Sequence, residues 1–456
     1  MSREMMEQRE QSNACINSAE SRKNKSEAQM RHSGIEWIGE IPKEWKTCRL
    51  KGIAHSLTKG NGITKEEVFP DGDTPCVRYG EIYSKYNGAF IECKSKTRKD
   101  ILSSTRYFNF GDILFAGTGE LVEEIGKNIV YVGVTSCLAG GDIIILKHSQ
   151  NPVFLNYALN SQYAQSQKSC GKAKLKVVHI SSSEIGDLQV ILPPLSEQQK
   201  IANYLDKVCS EVDELIALQE QMIEELKAYK QSVITEAVTK GLNPDVPMKD
   251  SGIDWIGEVP EHWDTRRIGN LFKLRDEKNY KPMDEVQLLS LYTGIGVFPH
   301  GEQEERGNKA ITVEGYKVVH KDDIVVNIIL AWMGAIGVSN YDGVTSPAYD
   351  VYIPDLSKVV PHFFHYVFRT QGIAGECYKY GRGIMMMRWR TYSSEFKQIR
   401  VPFPSLEEQQ SIASYLDTKC AEIDALIAIK QSKMEELKEY KKSVIYEYVT
   451  GKKEVV

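Results

Sequence analysis

The chain has 456 residues, too many for one ordinary domain, and its 41% hydrophobic and 26% charged residues exclude a disordered or fibrous protein. A net charge of −5 excludes a uniformly basic nucleic-acid coat but leaves room for local basic patches. No run approaches the roughly 20 apolar residues that span a bilayer.

Residues 1–32 are polar, lack the apolar stretch of a signal peptide, and are expected to form an N-terminal extension. The segment that follows, Ser33-Gly34-Ile35-Glu36-Trp37-Ile38-Gly39-Glu40-Ile41-Pro42, returns as Ser251-Gly252-Ile253-Asp254-Trp255-Ile256-Gly257-Glu258-Val259-Pro260. A second segment, Leu195 to Val238, returns as Leu406 to Val449 with 26 of 44 positions identical. A period near 210 residues is far beyond solenoid repeats, so a whole domain is duplicated. The expected division is a first module over 33–191, a long helix within 192–241, a linker over 242–250, a second module over 251–401, a second long helix within 402–451 and a short tail over 452–456.

Each module reads as a small α+β domain. Gly111-Asp112-Ile113-Leu114-Phe115, Gly141-Asp142-Ile143-Ile144-Ile145-Leu146 and Asp323-Ile324-Val325-Val326 predict a turn followed by a strand, while 154–167 and 363–372 predict a helix. Gly133-Val134-Thr135-Ser136 is matched in sequence by Gly343-Val344-Thr345-Ser346.

The near-constant segments predict long helices. Ser196 with Gln199, and Ser405 with Glu408, have capping-box spacing. Leu205, Val208, Val212, Leu215, Met222, Leu226, Tyr229 and Val233 suggest one apolar seam, and Leu416, Lys419, Ile423, Leu426, Lys433, Leu437, Tyr440 and Val444 the other. Helices of about 44 residues would be roughly 66 Å long and must bury those stripes. Antiparallel packing of one on the other is expected, which would bring Gly451 close to Ser33 and give an internal pseudo-twofold.

Catalytic signals are weak. Phe115-Ala116-Gly117-Thr118-Gly119 and Asn151-Pro152-Val153-Phe154 look like boxes of an adenine methyltransferase, but the second lacks its second proline, and a plain strand and turn is the better reading. No Walker A, HExxH or GxSxG occurs. His362 and His365 are spaced i,i+3 without an obvious third ligand, and nine scattered cysteines without a CxxC pair predict neither a zinc site nor disulfides. No catalytic, cofactor or metal residue is assigned, and a cytoplasmic protein with reduced thiols is expected.

Local charge points to DNA instead. Lys94, Lys96, Arg98, Lys99 and Arg106 cluster in the first module, as do Lys168, Lys172, Lys174 and Lys176; Lys379, Arg382, Arg388 and Arg390 recur at the same phase of the second. Gly171, Gly381 and Gly383 in these stretches would let backbone approach phosphate. Residues 195–240 hold nine acids and five bases, so acid is concentrated on the helix and base on the modules. Arg78 with Tyr79, and Trp389 between Arg388 and Arg390, could reach base edges, arginine being the usual partner of guanine. A coiled-coil adaptor joining two protein-binding domains, and a self-sufficient methyltransferase, are the competing readings.

Trp37-Ile38-Gly39 and Trp255-Ile256-Gly257, Gly111-Asp112-Ile113-Leu114-Phe115, and the two helix entries Leu192-Pro193-Pro194-Leu195-Ser196-Glu197-Gln198-Gln199 and Pro404-Ser405-Leu406-Glu407-Glu408-Gln409-Gln410 resemble the specificity subunit of type I restriction–modification systems, a likeness that covers residues 33 to 451. The resemblance implies a non-catalytic subunit with two target recognition domains, each reading one half of an asymmetric bipartite site in double-stranded DNA. It implies paired helices that set the spacing and dock two methyltransferase subunits. S-adenosylmethionine would then sit on those partners, and ATP and Mg on a restriction subunit.

Overall fold

The computed structural model describes residues 30–35, 38–101, 106–173, 177–293, 295–301, 312–383 and 389–455. It divides into two units: residues up to Leu218 with Lys433–Val456, and Gln219–Ser432. The helices Leu195–Lys240 and Leu406–Val449 each contribute to both units.

In unit 1, Met30–His32 pairs antiparallel with Glu40–Pro42, and the repeated motif forms the turn between them. The Ser33 hydroxyl accepts from the Ile35 amide at 3.0 Å, and Gly39 closes the turn at φ 68°, a left-handed conformation that favours glycine. Met248–Asp250 and Glu258–Pro260 repeat the hairpin in unit 2, with Gly257 at φ 69°. Both modules therefore begin about three residues earlier than the sequence suggests, which moves 30–32 out of the N-terminal extension and 248–250 out of the linker. Trp37 lies outside the described residues.

The centre of unit 1 is a five-stranded sheet in the order Ala54–Lys59, Ile143–His148, Ile113–Ala116, Asn128–Tyr131, Ala89–Phe90. Alternation sends Ile113, Phe115, Val130, Ile144 and Leu146 into a core shared with the helices, and Leu114, Ala116, Ile129, Tyr131, Ile143 and Ile145 into a second core. Burial on both faces is why these strands read as continuous apolar runs. The second core is closed by a four-stranded sheet in the order Ser95–Thr97, Thr74–Val77, Cys137–Ala139, Tyr107–Phe108, whose central pair is parallel. Unit 2 repeats the plan more sparsely. Its four-stranded sheet runs Phe272–Leu274, Tyr349–Pro354, Ile324–Asn327, Ile336–Val338, and is flanked by the hairpin Leu289–Tyr292/Gly296–Pro299 and the pair Lys317–Val319/Gly343–Thr345. The matched tetrapeptides are not equivalent: Val134 is fully exposed in a turn, whereas Val344 is buried in a strand. Four residues are too short a word to fix register.

The helices pack antiparallel within each unit. In unit 1, Tyr204 meets Tyr448 with ring centroids 4.5 Å apart, and Asp213 pairs with Lys441 at 2.6 Å, so partners descend along one helix as they ascend the other. In unit 2, Ile234, Ala237 and Val238 share a core with Ile412, Ala413 and Leu416, while Lys230 pairs with Asp424 at 2.7 Å. The seams follow a 3–4 alternation through Leu205, Cys209, Val212 and Ile223, with one extra residue before Ile234, and through Leu416, Cys420, Ile423, Val444 and Tyr448. Leu215, Met222, Tyr229, Leu426 and Tyr440, expected in the seams, are exposed because each stands one position off that alternation.

Two tryptophans lock the helix starts. Trp45 Nε1 donates to Glu197 at 2.9 Å and Trp263 Nε1 to Glu408 at 2.9 Å. The expected capping box forms at Ser405 and Glu408. At the first helix it does not, because Pro194 occupies the position equivalent to Ser405 and offers no side-chain acceptor. There Gln198 donates to the Pro193 carbonyl at 2.9 Å and accepts from the Asn151 amide at 2.9 Å. At the far end of the second helix, Gly451 lies so close to Trp45 that a Cβ would sit 3.2 Å from its ring, and Lys452 Nζ donates to the carbonyls of Ile38 and Glu40 at 2.8 and 2.7 Å. Gly451 thus lies beside the Ser33 turn, as the antiparallel arrangement requires.

Candidate nucleic-acid interface

The strand Ser95–Thr97 forms an edge of the four-stranded sheet, and its alternation buries Ser95 and Thr97 while turning Lys94, Lys96 and Arg98 outward. Edge position and period two together make a basic row. Arg98 pairs with Asp71 at 2.8 Å and lies 4.7 Å above the Phe69 ring, and Lys99 lies 5.9 Å from the Tyr107 ring. Lys94 and Lys96 have no ion-pair partner among the described residues and carry the free charge of this row.

At the end of the parallel strands, Arg78 and Tyr79 line a cleft of about 460 Å³ with Gly62, Thr64, Lys65, Gly140 and Asp142. Arg106 stands beside it, because Asn61 accepts from its amide at 2.8 Å and donates to its carbonyl at 3.1 Å. The structure thus brings Arg106 near the adjacent pair Arg78 and Tyr79, from which it is distant in sequence. It adds Lys65 and Asp142, which are not among the residues expected from the sequence; neither belongs to a charge run, so only the fold could reveal them.

The lysine run that follows the helix Gln162–Ser169 behaves otherwise. Lys168 is buried, with Nζ donating to Asn128 Oδ1 at 2.8 Å and to the Leu159 carbonyl at 2.7 Å, 5.5 Å from the Phe115 ring. Burial pulls its pKa down to about 7. Lys168 cannot reach phosphate, and its assignment as a DNA contact is corrected to a structural role. Lys172 forms an ion pair with Glu184, whose pKa falls to about 2 chiefly through that hydrogen bond. Lys174 and Lys176 lie outside the described residues. Gly171 takes φ 71° just past the helix end, so its glycine is explained by the cap.

In unit 2 the corresponding loop is pinned by a backbone bridge between Arg382 and Arg390. Arg382 pairs with Glu395 at 2.9 Å and lies 5.2 Å over the Tyr392 ring. Glu184 and Glu395 occupy equivalent positions, and each pairs with a base in the preceding loop, Lys172 and Arg382, which stand one position apart in that frame, so part of the recurrence at this phase comes from an analogous ion pair. Trp389 stacks on Tyr378 with centroids 5.2 Å apart and donates to the Tyr378 carbonyl at 3.0 Å. A Cβ at Gly381 would fall 2.3 Å from Trp389 Nε1, so this glycine makes room for the indole rather than for phosphate. Lys379 is exposed beside Glu376 at 3.5 Å, Arg390 is exposed, and Arg388 lies outside the described residues. Exposed Tyr378, Tyr380 and Tyr392 interleave with these cations, a pattern suited to nucleic acid.

In the second methyltransferase-like box the asparagine has a structural role. Asn151 caps the helix Pro152–Asn160, its Oδ1 accepting from the Phe154 amide at 2.9 Å. His362 pairs with the Asp417 carboxylate at 2.7 Å, a companion the sequence did not place nearby, and burial pushes His365 down to about 3. No group of three His, Cys, Asp or Glu suited to a metal occurs among the described residues, and none of their helices is long and apolar enough to cross a membrane.

The type I restriction modification DNA specificity domain matches residues 42–228 and again 260–439. A putative type I restriction enzyme specificity subunit of Methanocaldococcus jannaschii, MjaX, is 29% identical over 91% of this chain and 95% of its own. The MjaVIII specificity subunit of the same organism is 25% identical over 90% and 93%. Among solved structures, the HsdS subunit of Thermoanaerobacter tengcongensis aligns with a TM-score of 0.52 at 16% identity over 90% of this chain and 98% of its own. A chain from a study of type I R-M complex assembly and conformational transition aligns with a TM-score of 0.67 at 16% identity over 90% and 99%.

Proposed function

The chain belongs to the type I restriction–modification DNA specificity family, and on that premise we propose that each of its two modules reads one half of an asymmetric bipartite site in double-stranded DNA. The observation that carries this reading is one scaffold present twice with different exposed basic surfaces: Lys94, Lys96, Arg106 and the Arg78 cleft in unit 1, and Lys379, Arg382 and Arg390 beside exposed aromatic rings in unit 2. Cations on the rims neutralise phosphates and release counterions, which supplies affinity without sequence. Side chains that reach base edges supply the discrimination.

The paired helices act as the ruler. At 1.5 Å per residue, 46 residues extend about 69 Å. With about 3.4 Å per base pair, the helix length sets the spacer that neither module reads. The same helices dock two methyltransferase subunits. Leu215 and Leu218 on the first, and their counterparts Leu426 and Ile429 on the second, are exposed apolar side chains on otherwise charged surfaces, as a helical partner would use. The reaction belongs to those partners, which would bind S-adenosylmethionine, with ATP and Mg on a restriction subunit. This chain supplies the address.

The test is duplex binding by the chain assembled with its modification partner. Alanine at Lys94, Lys96, Arg382 and Arg390 should weaken binding and flatten its dependence on salt. Unchanged binding would refute the reading, and transfer of methyl groups by the chain alone would replace it with a catalytic one.

A further inference from the structure

The cleft at the end of the parallel strands in unit 1 combines a donor and an acceptor in a way a phosphate site would not. Strands Thr74–Val77 and Cys137–Ala139 run in the same direction, with Cys76 opposite Leu138 and Val77 opposite Ala139. The chain therefore leaves both at one end, through Arg78–Gly80 and Gly140–Asp142, and Gly62–Lys65 forms the third wall. The floor is glycine packed on backbone: a Cβ at Gly60 would lie 2.2 Å from the Gly140 carbonyl oxygen, and one at Gly141 would lie 3.0 Å from that of Asn61. Asn61 fixes this floor through its hydrogen bonds to Arg106 and to the Ala139 carbonyl, the latter at 3.1 Å.

Arg78 stands half-buried in this wall, with its Nε shielded from water and without a hydrogen-bond partner. Asp142, which is exposed, lines the same cleft from the segment Gly140–Asp142. Neither side chain has an ion-pair partner among the described residues, although both line one cleft. A guanidinium left in this state costs free energy unless an acceptor arrives. A carboxylate left free in the same cleft opposes a phosphate, because it adds negative charge where the backbone would lie. A base edge has use for both groups. Arginine donates to O6 and N7 of guanine, and aspartate accepts from N4 of cytosine.

We propose that the Arg78–Asp142 cleft reads a G·C base pair in the half-site of unit 1, Arg78 taking the guanine and Asp142 the cytosine. The assignment rests on the DNA-reading function proposed above and names the residue pair and the base pair. Lys65 and Arg106 on the rim hold the flanking phosphates. Unit 2 lacks the device. There Tyr349 opposes Asn327 as Ile143 opposes Ala116, so Ala348 occupies the place of Asp142, and Ser346-Pro347 replace Gly140-Gly141.

The test uses the full chain assembled with its modification subunits and a set of duplexes in which each base pair of its site is replaced in turn. Arg78→Ala should lower affinity for the cognate duplex roughly 10- to 100-fold and erase discrimination at one G·C pair of one half-site, leaving every other position as in the wild type. Asp142→Ala should relax the same base pair. Arg78→Lys, which keeps the charge and loses the two-pronged donor, should relax it as well and covers the case in which the alanine variant does not fold. Wild-type discrimination retained by all three variants, relaxation at different base pairs, or an equal loss on every duplex would overturn the assignment while leaving the two-module reading intact. A wild-type complex without preference at any position would overturn both.

Discussion

The loops after the helices Gln162–Ser169 and Gln371–Tyr380 carry base at the same phase of two modules, yet they are built differently. In unit 1 Lys168 points inward onto Asn128 and Leu159, and Lys172 is tied to Glu184. In unit 2 Lys379, Arg382 and Arg390 stay at the surface among tyrosines, and Arg382 keeps the equivalent ion pair, to Glu395. Recurrence in sequence therefore marks a shared scaffold feature, the acid of the short helix and a base in the loop before it. Exposure decides what each position can touch. Unit 1 presents its charge elsewhere, on the edge strand with Lys94 and Lys96 and around the cleft of Arg78.

The largest expected effect concerns what the modules share. Inserting four residues, about one helical turn or 6 Å, in both long helices should move the preferred spacer by one to two base pairs. The original duplex should then bind at the non-specific level, and a gel-shift series across spacer lengths reads this directly. A change in either recognised half would break the ruler.

Next come the two basic surfaces. Lys94→Ala with Lys96→Ala in unit 1, and Arg382→Ala with Arg390→Ala in unit 2, should each weaken binding about 10-fold. For every phosphate that is no longer neutralised, the slope of log K against log salt should become shallower by roughly 0.9. Fluorescence anisotropy at several salt concentrations separates this from weaker binding at an unchanged slope, which would mean that the charges do not meet phosphate.

Lys168→Ala sharpens the contrast, because it acts on stability and not on DNA. Removing the buried stem and orphaning two acceptors should cost about 2–4 kcal/mol, visible as a lower thermal midpoint with the salt slope unchanged. A smaller effect follows from its pKa. The folded value of about 7 lies below the ordinary 10.5, so the unfolded chain binds more protons between them and stability rises with pH across that window. Lys168→Met should abolish that contribution to the rise of the thermal midpoint between about pH 7.5 and 9.

Much of this architecture is legible in the sequence. The duplication, the long helices, their antiparallel packing and the strands at Ile113, Ile143 and Ile324 all rest on period, length and burial, which survive in a single chain. The opening hairpins are not, because strands of three residues such as Met30–His32 carry no alternation to detect. The first helix lacks its expected cap because Pro194 replaces serine, a local exchange that spacing cannot reveal. The seams differ from the expected ones because hydrophobicity alone favours Leu215, Met222, Leu426 and Tyr440, while the smaller Cys209 and Cys420 hold the buried positions. At the candidate site, the basic row on Ser95–Thr97 is visible as a charge run. The cleft is not, because Arg78 and Asp142 meet only through the parallel pairing of two distant strands, and Lys65 and Arg106 reach it through the segment around Asn61.

The most direct test is selection from random duplexes by the assembled complex, repeated after residues 51–191 are exchanged for the corresponding module of another family member. Two unlike short motifs at a fixed separation, with one replaced and the other preserved by the exchange, is the predicted result. A single contiguous motif, or an exchange that alters both halves, would contradict the claim that each module reads alone.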